Sequence, residues 1–212
     1  AKSGAKPPAK IGLAAFDVDA GTLLFTEAST KKRALLHLVR GDAALGAFDR
    51  GGLEVEQATF AQFADRLRSE QHTLKRSLTD PRLFSGIGNA YSDEILHQAR
   101  LSPMARSQHL SEAEARRLFD ACRTVLMEWT ERLREETKDA FPTKITAFRH
   151  EMVVHGKFGK PCPACGTTIQ RIVYAGNACN YCPRCQTEGR ILADRSLSRL
   201  LKEDWPKTVE DL

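Results

Sequence analysis

The sequence has no apolar run approaching the ~18 residues that a bilayer-spanning helix needs, and it does not open on an apolar signal segment. A membrane-anchored reading is set aside. The expected setting is reducing and cytoplasmic, where paired disulfides do not persist. Neither charge sign dominates: 32 Lys and Arg against 27 Asp and Glu leave a formal +5, which favours a polyanionic partner only weakly. Residues 1–10, AKSGAKPPAK, lack side chains that can pack and read as a loop or ragged start. What is present suffices for a core, since 212 residues with 42% hydrophobic content can hold one ordinary domain and a small module.

The strongest chemical signal is a pair of Cys-Pro-x-Cys knuckles, Cys162/Cys165 and Cys182/Cys185. A two-residue spacer lets both thiolates of a knuckle reach one metal, and four sulfurs make a closed, tetrahedral, structural Zn²⁺ site. Residues 157–190 are too few to bury a useful core, whereas structural zinc contributes on the order of 10 kcal/mol to folding. Cys179 makes a second, overlapping Cys-x-x-Cys with Cys182, but the repeat of Cys162-Pro163-Ala164-Cys165 in Cys182-Pro183-Arg184-Cys185 selects the latter pair. Cys179 is expected as a free thiol at the hairpin turn, and Cys122 in a helix core. Lys157, Lys160, Arg171, Arg184 and Arg190 face the single acid Glu188 in this stretch, making either a polyanion-binding surface or a solubilising one.

Ahead of the knuckles, Ile11–Val18 and Thr22–Thr26 read as strands around the turn Asp19-Ala20-Gly21, and Arg33–Val39 is a candidate third strand. So little sheet cannot stand alone, so residues 11–50 are expected to be the end of a larger β domain. From about 57 to 138 the period becomes helical. Phe60, Phe63, Ala64 and Leu67 mark one helix. Leu118, Cys122, Val125, Trp129 and Leu133 mark a long one, capped by Ser111 with Glu114 three residues on. Between them a short helix is expected to end near Asp80, followed by a two-turn connection and a helix to about Arg100 capped by Asn89. Gly86 and Gly88 permit close backbone approach, and helix N-terminal amides attract phosphate. Taken alone, Gly-x-Gly-Asn favours an ordinary helix-turn-helix corner over a phosphate site.

Lys75, Gly86-Ile87-Gly88-Asn89-Ala90-Tyr91 with Asp93-Glu94, and a four-Cys hairpin ending Cys182-Pro183-Arg184-Cys185-Gln186 occur in an order that resembles the formamidopyrimidine-DNA glycosylase and endonuclease VIII family. The resemblance implies an α+β multidomain chain: the remnant of an N-terminal β-sandwich (11–50), a helical helix-two-turn-helix DNA-binding domain (57–150), a zinc-finger hairpin (157–190) and a C-terminal helical tail (191–212). It implies a monomeric base-excision glycosylase with apurinic-site lyase activity on oxidised bases in double-stranded DNA, one structural zinc, and Lys75, Gly88 and Asn89 against the phosphates. The catalytic proline amine and following glutamate that the family uses cannot be placed here, because Lys2 follows Ala1. The expectation is therefore a C-terminal portion that binds DNA without efficient excision. A non-catalytic DNA-binding or damage-sensing protein is the alternative, and a zinc ribbon that binds protein is a third.

Three departures from the family pattern bear on DNA contact. Lys31-Lys32-Arg33 places Arg33 where the resemblance implies a wedge phenylalanine. In the turn Ala175-Gly176-Asn177-Ala178, Asn177 stands where an arginine is implied, which predicts a shallower salt dependence of binding. Ile191, Leu192, Leu197, Leu200 and Leu201 suggest an amphipathic helix beyond the zinc hairpin, packing on the protein or docking a partner.

Overall fold

The computed structural model describes residues 2–138, 140, 148–174, 177–194 and 197–212, with side chains of Tyr174 and Leu197 left aside. The chain divides into two units, 1–48 and 49–212. In the first, β1 (Gly12–Val18) and β2 (Gly21–Thr26) pair antiparallel, with Val18 opposite Gly21 across the tight turn. The candidate third strand does not form: residues 32–40 carry no regular structure. Glu27 instead gathers this segment locally, its carboxylate accepting the amides of Arg33 at 2.7 Å and Ala34 at 3.2 Å while its carbonyl accepts Lys32 Nζ at 2.8 Å. Backbone groups satisfied this way have no ladder to join. Leu38, 99% exposed, has nothing to pack on within the unit. A short helix, α1 (Asp42–Leu45), follows.

The second unit carries the core. Capping boxes start α2 (Phe60–Arg68) at Thr59/Gln62 and α5 (Glu112–Thr137) at Ser111/Glu114, each satisfying two orphan amides of a first turn. Thr73 caps α3 (Leu74–Thr79), and α4 (Asn89–Gln98) follows a connection through Gly86. Phe63, Leu67, Leu74, Leu78, Phe84, Ile95, Leu96, Leu118, Cys122 and Trp129 form one buried cluster that fixes these four helices together. Each large side chain so buried contributes roughly 1.5–3 kcal/mol. Gly52 is required by close approach, since a Cβ there would stand 2.4 Å from the Pro81 carbonyl.

The zinc-finger region adds β3 (Gln170–Tyr174) and β4 (Asn177–Tyr181), an antiparallel pair, then α6 (Pro183–Thr187). Ala175 and Gly176 of the expected turn lie outside the described residues. Beyond it the expected helix is present in part among the described residues. Residues 191–194 have no regular structure, α7 (Leu197–Leu201) is five residues long, and Leu200 is 76% exposed. The tail is held by backbone hydrogen bonds instead: Ile191 N to Lys207 O at 2.7 Å and Val209 N to Gly189 O at 2.9 Å fold it back on itself. The Asp194 carboxylate accepts the edge amide of Val173 at 2.7 Å, and Tyr181 Oη accepts Leu192 N at 2.7 Å, so the tail closes the open side of β3.

Candidate metal centre and nucleic-acid interface

The two knuckles are tight turns. The Cys162 carbonyl accepts the amides of Cys165 at 3.3 Å and Gly166 at 2.8 Å, with Gly166 at φ +76°. Pro183 opens α6 directly after Cys182, and Gln186 N returns to Cys182 O at 3.0 Å. The sulfurs of Cys162, Cys165, Cys182 and Cys185 lie within 4.8 Å of one another. Separations of 4.0 Å (162 to 185), 3.4 Å (165 to 182) and 3.5 Å (165 to 185) are too long for S–S bonds. They match the roughly 3.8 Å edge of a tetrahedron with Zn–S bonds of ~2.3 Å. The donor set therefore fits one structural zinc with no ligand position left open. Cys179 stays outside this cluster. It sits within β4 opposite Ile172, not at the turn, and burial beside the Asp93 carboxylate pushes its thiol pKa well up. The register explains the correction: β4 begins at Asn177, so Cys179 falls two residues inside the strand.

α4 carries the rest of the site. Asn89, Asp93 and His97 recur every four residues and so share one face of the helix. Each meets a successive point of the zinc-finger region. Asn89 Nδ2 donates to Ala178 O at 3.0 Å, Asp93 Oδ2 accepts both Asn180 N and Nδ2 at 3.1 Å, and His97 Nε2 lies 3.4 Å from Cys162 Sγ. Just past the helix, Gln186 Nε2 donates to Leu101 O at 3.0 Å while its Oε1 accepts Cys182 N at 2.8 Å. The neighbouring Glu94 is buried, with its two oxygens accepting the amides of Val153, Val154 and His155 at 2.8–2.9 Å. A buried carboxylate is tolerated here because three N–H donors replace water.

Asp93 is the hub. It is fully buried between Lys75 Nζ at 2.5 Å and His155 Nδ1 at 2.8 Å. Burial works to raise its pKa, but the His155 hydrogen bond and the Lys75 charge outweigh that, and the carboxyl lies below its ordinary value. Lys75 is only 14% exposed and donates to Asn89 O at 2.7 Å and Ser92 Oγ at 2.7 Å as well as to Asp93. An ammonium has three N–H donors, and all three are engaged within the protein. Lys75 thereby braces the first turn of α4.

Asn89 also departs from expectation. The N-cap is Gly88, and Asn89 is the first helical residue, its side chain drawn to the hairpin rather than to its own helix amides. Gly86 adopts φ +76°, a conformation that favours glycine, and a Cβ on Gly86 or Gly88 would meet no atom within 4 Å. The start of α4 is therefore an open notch whose first-turn amides have no intrahelical acceptor. Asn177 is exposed at the start of β4. Lys31, Lys32 and Arg33 are exposed in the other unit, where Lys32 is tied to Glu27. Sequence reasoning assigned no role to Asp93, Glu94, His97 or His155. The available signal was the polar triplet 89/93/97 at helical spacing along a helix otherwise committed to the core. A further basic surface, a cleft of about 610 Å³, is lined by Arg50, Arg76 and Arg82 with Thr79, Asp80 and Pro81. There the Arg82 guanidinium holds the Asp80 pKa at about 2.

Replacing Cys182 by Ser is expected to abolish stoichiometric zinc retention and to raise amide exchange across 160–187, whereas Cys179→Ser keeps one zinc per chain, both read by metal analysis and hydrogen exchange. Asp93→Asn strips Lys75 of its charge partner and should lower stability by about 3 kcal/mol in urea unfolding of the zinc-loaded chain. Because the folded-state pKa is depressed below 3.8, the carboxylate's contribution is complete above that pH and is lost only as pH falls through the lower folded value. Between pH 6 and pH 8 the Asp93 carboxylate thus stays ionised and adds no pH dependence of its own to the deficit.

Residues 52–139 match the family model of the formamidopyrimidine-DNA glycosylase H2TH domain, and residues 159–187 match the zinc finger found in FPG and IleRS. A formamidopyrimidine-DNA glycosylase-like protein of Mycobacterium tuberculosis, itself uncharacterised, is 42% identical over 129 residues, covering 61% of this chain and 80% of that protein. The formamidopyrimidine-DNA glycosylase of Thermus thermophilus is 41% identical over 141 residues, covering 63% of this chain and 52% of that enzyme. The match thus spans about half the length of the Thermus enzyme. Among solved structures, MutM (Fpg) from Thermus thermophilus superposes with a TM-score of 0.68 at 35% identity, over 86% of this chain and 71% of that one. MutM in complex with DNA containing carbocyclic 8-oxo-G gives 0.70 at 26% identity, over 88% and 69%. The helical motif, the four-sulfur finger and these relatives agree, and the chain belongs to the formamidopyrimidine-DNA glycosylase family.

Proposed function

We propose that this chain is the DNA-gripping part of a base-excision repair glycosylase with apurinic-site lyase activity, acting on oxidised bases in double-stranded DNA. The observation that carries the reading is the hydrogen bond from Asn89 Nδ2 to Ala178 O, which joins the open start of α4 to the zinc hairpin. One N–H of the Asn89 amide is spent on the hairpin, and the other is left for a phosphate oxygen beside the first-turn amides of α4. Exposed Asn177 adds a neutral contact, so fewer counterions are released than with an arginine there. Lys31, Lys32 and Arg33 supply further backbone or wedge contacts from their own unit, and zinc sets the hairpin's shape without taking part in the chemistry.

In this reading the 212 residues supply the grip on DNA, and no Pro-Glu pair among them supplies the amine chemistry of excision. The second reading is a non-catalytic DNA-binding or damage-sensing protein that uses the same grip.

Asn89→Ala should weaken binding to a duplex with an abasic site by about 1–3 kcal/mol, measured by anisotropy, while the helical circular dichroism is unchanged. Binding equal to that of the parent chain would remove the notch from the interface. Borohydride treatment of the complex should trap no covalent adduct, and efficient trapping would show that an amine of this chain attacks the sugar.

A further inference from the structure

The zinc sulfurs differ in where their hydrogen-bond donors come from. The Thr167 hydroxyl and amide face Cys165, and the Cys185 amide faces Cys182, both from inside the finger. Cys162 is, after Cys182, the most buried of the knuckle cysteines, and its carbonyl accepts the amides of Cys165 and Gly166. From outside the finger its sulfur is reached by His97 Nε2, 3.4 Å away, from the last turn of α4.

We propose that His97 is the outer partner of the zinc site: its Nε2–H donates to the Cys162 thiolate and holds that ligand on the metal from the helical domain. The inference rests on zinc occupying the four-sulfur site. Proton bookkeeping sets the direction. In the metal-free chain either the thiol or the imidazole can donate, but zinc binding removes the thiol proton and leaves sulfur only as an acceptor. A neutral imidazole protonated at Nε2 is then the group that satisfies it. Four thiolates on one Zn²⁺ carry a net charge of −2, and withdrawing part of that charge through an N–H donor favours the buried, deprotonated ligand set. His97 acts through Cys162 and is thus a positioning residue. It also extends the α4 stripe to the metal itself, so loading the finger and ordering the helix that bears Asn89 become one event.

The test uses the full chain with three substitutions. His97→Gln keeps a side-chain N–H near the Nε2 position, His97→Phe fills the space without a donor, and His97→Ala removes both. Competition for zinc against a chromophoric chelator should show about tenfold weaker binding in the Phe and Ala variants and recovery of most of that loss in the Gln variant. In the cobalt-substituted chain, the sulfur-to-metal charge-transfer band should move in the Phe and Ala variants and stay in place in the Gln variant. Parent-like affinity and spectrum in His97→Phe would reduce the contact to packing and overturn the proposal. Equal weakening in all three variants would overturn it as well, by showing that shape and not donation matters. If the parent chain retains no zinc, the metal reading fails instead, and the two failures are told apart.

Discussion

One carboxylate organises the second unit. Asp93 is buried among Lys75, His155 and Asn180, groups from a preceding helix, a loop and the zinc hairpin, and it holds all three to α4. Removing an unpaired charge from water costs several kcal/mol, so this carboxylate is stable only when every partner is in place. That makes it a registration device. With Asp93 satisfied, Asn89 lies one turn before it against the hairpin and His97 one turn after it against Cys162. The notch at the start of α4 and the sulfur cluster are thereby fixed along a single helix, on which Asn89 and His97 stand about 12 Å apart at 1.5 Å per residue.

The metal's part follows from that geometry. Four thiolates leave zinc no open position, so it supplies shape, not reactivity. A hairpin of two five-residue strands has too little buried surface to stand by itself. Zinc closes it from one end, α4 supports it along its length, and the C-terminal tail seals its edge through Asp194. DNA recognition of this kind needs donors that are already in place, because ordering them on binding would consume the modest free energy that each phosphate contact returns.

Much of this was legible in the amino-acid sequence, and the exceptions have physical causes. Helices α2 and α5 follow from apolar spacing with Thr59 and Ser111 as caps, and the sulfur cluster from the repeated Cys-Pro-x-Cys spacing. The failures occur where local pattern and tertiary pairing diverge. Residues 33–39 have strand composition, but Glu27 takes the amides of Arg33 and Ala34. Asn89 has cap chemistry, but the hairpin carbonyl of Ala178, distant in sequence, takes its side chain. The internal acceptors of Lys75, on Asn89, Ser92 and Asp93, belong to a different helix and are not legible from its charge alone. The tail's leucines suggest a helix, while backbone pairing to residues 207–209 and the Asp194 contact decide its course. Asp93 was the least legible, since a buried charge announces itself only through partners that the fold brings together.

In the function proposed above, zinc and α4 together make one grip on the sugar-phosphate backbone. The most direct test is a titration of the full chain with a duplex carrying an abasic site, before and after zinc is stripped by a chelator, with helical content followed in parallel. The expected result is at least a tenfold loss of affinity on zinc removal while the helical signal from α2 and α5 persists, restored when zinc is returned. Unchanged affinity in the stripped chain would contradict it.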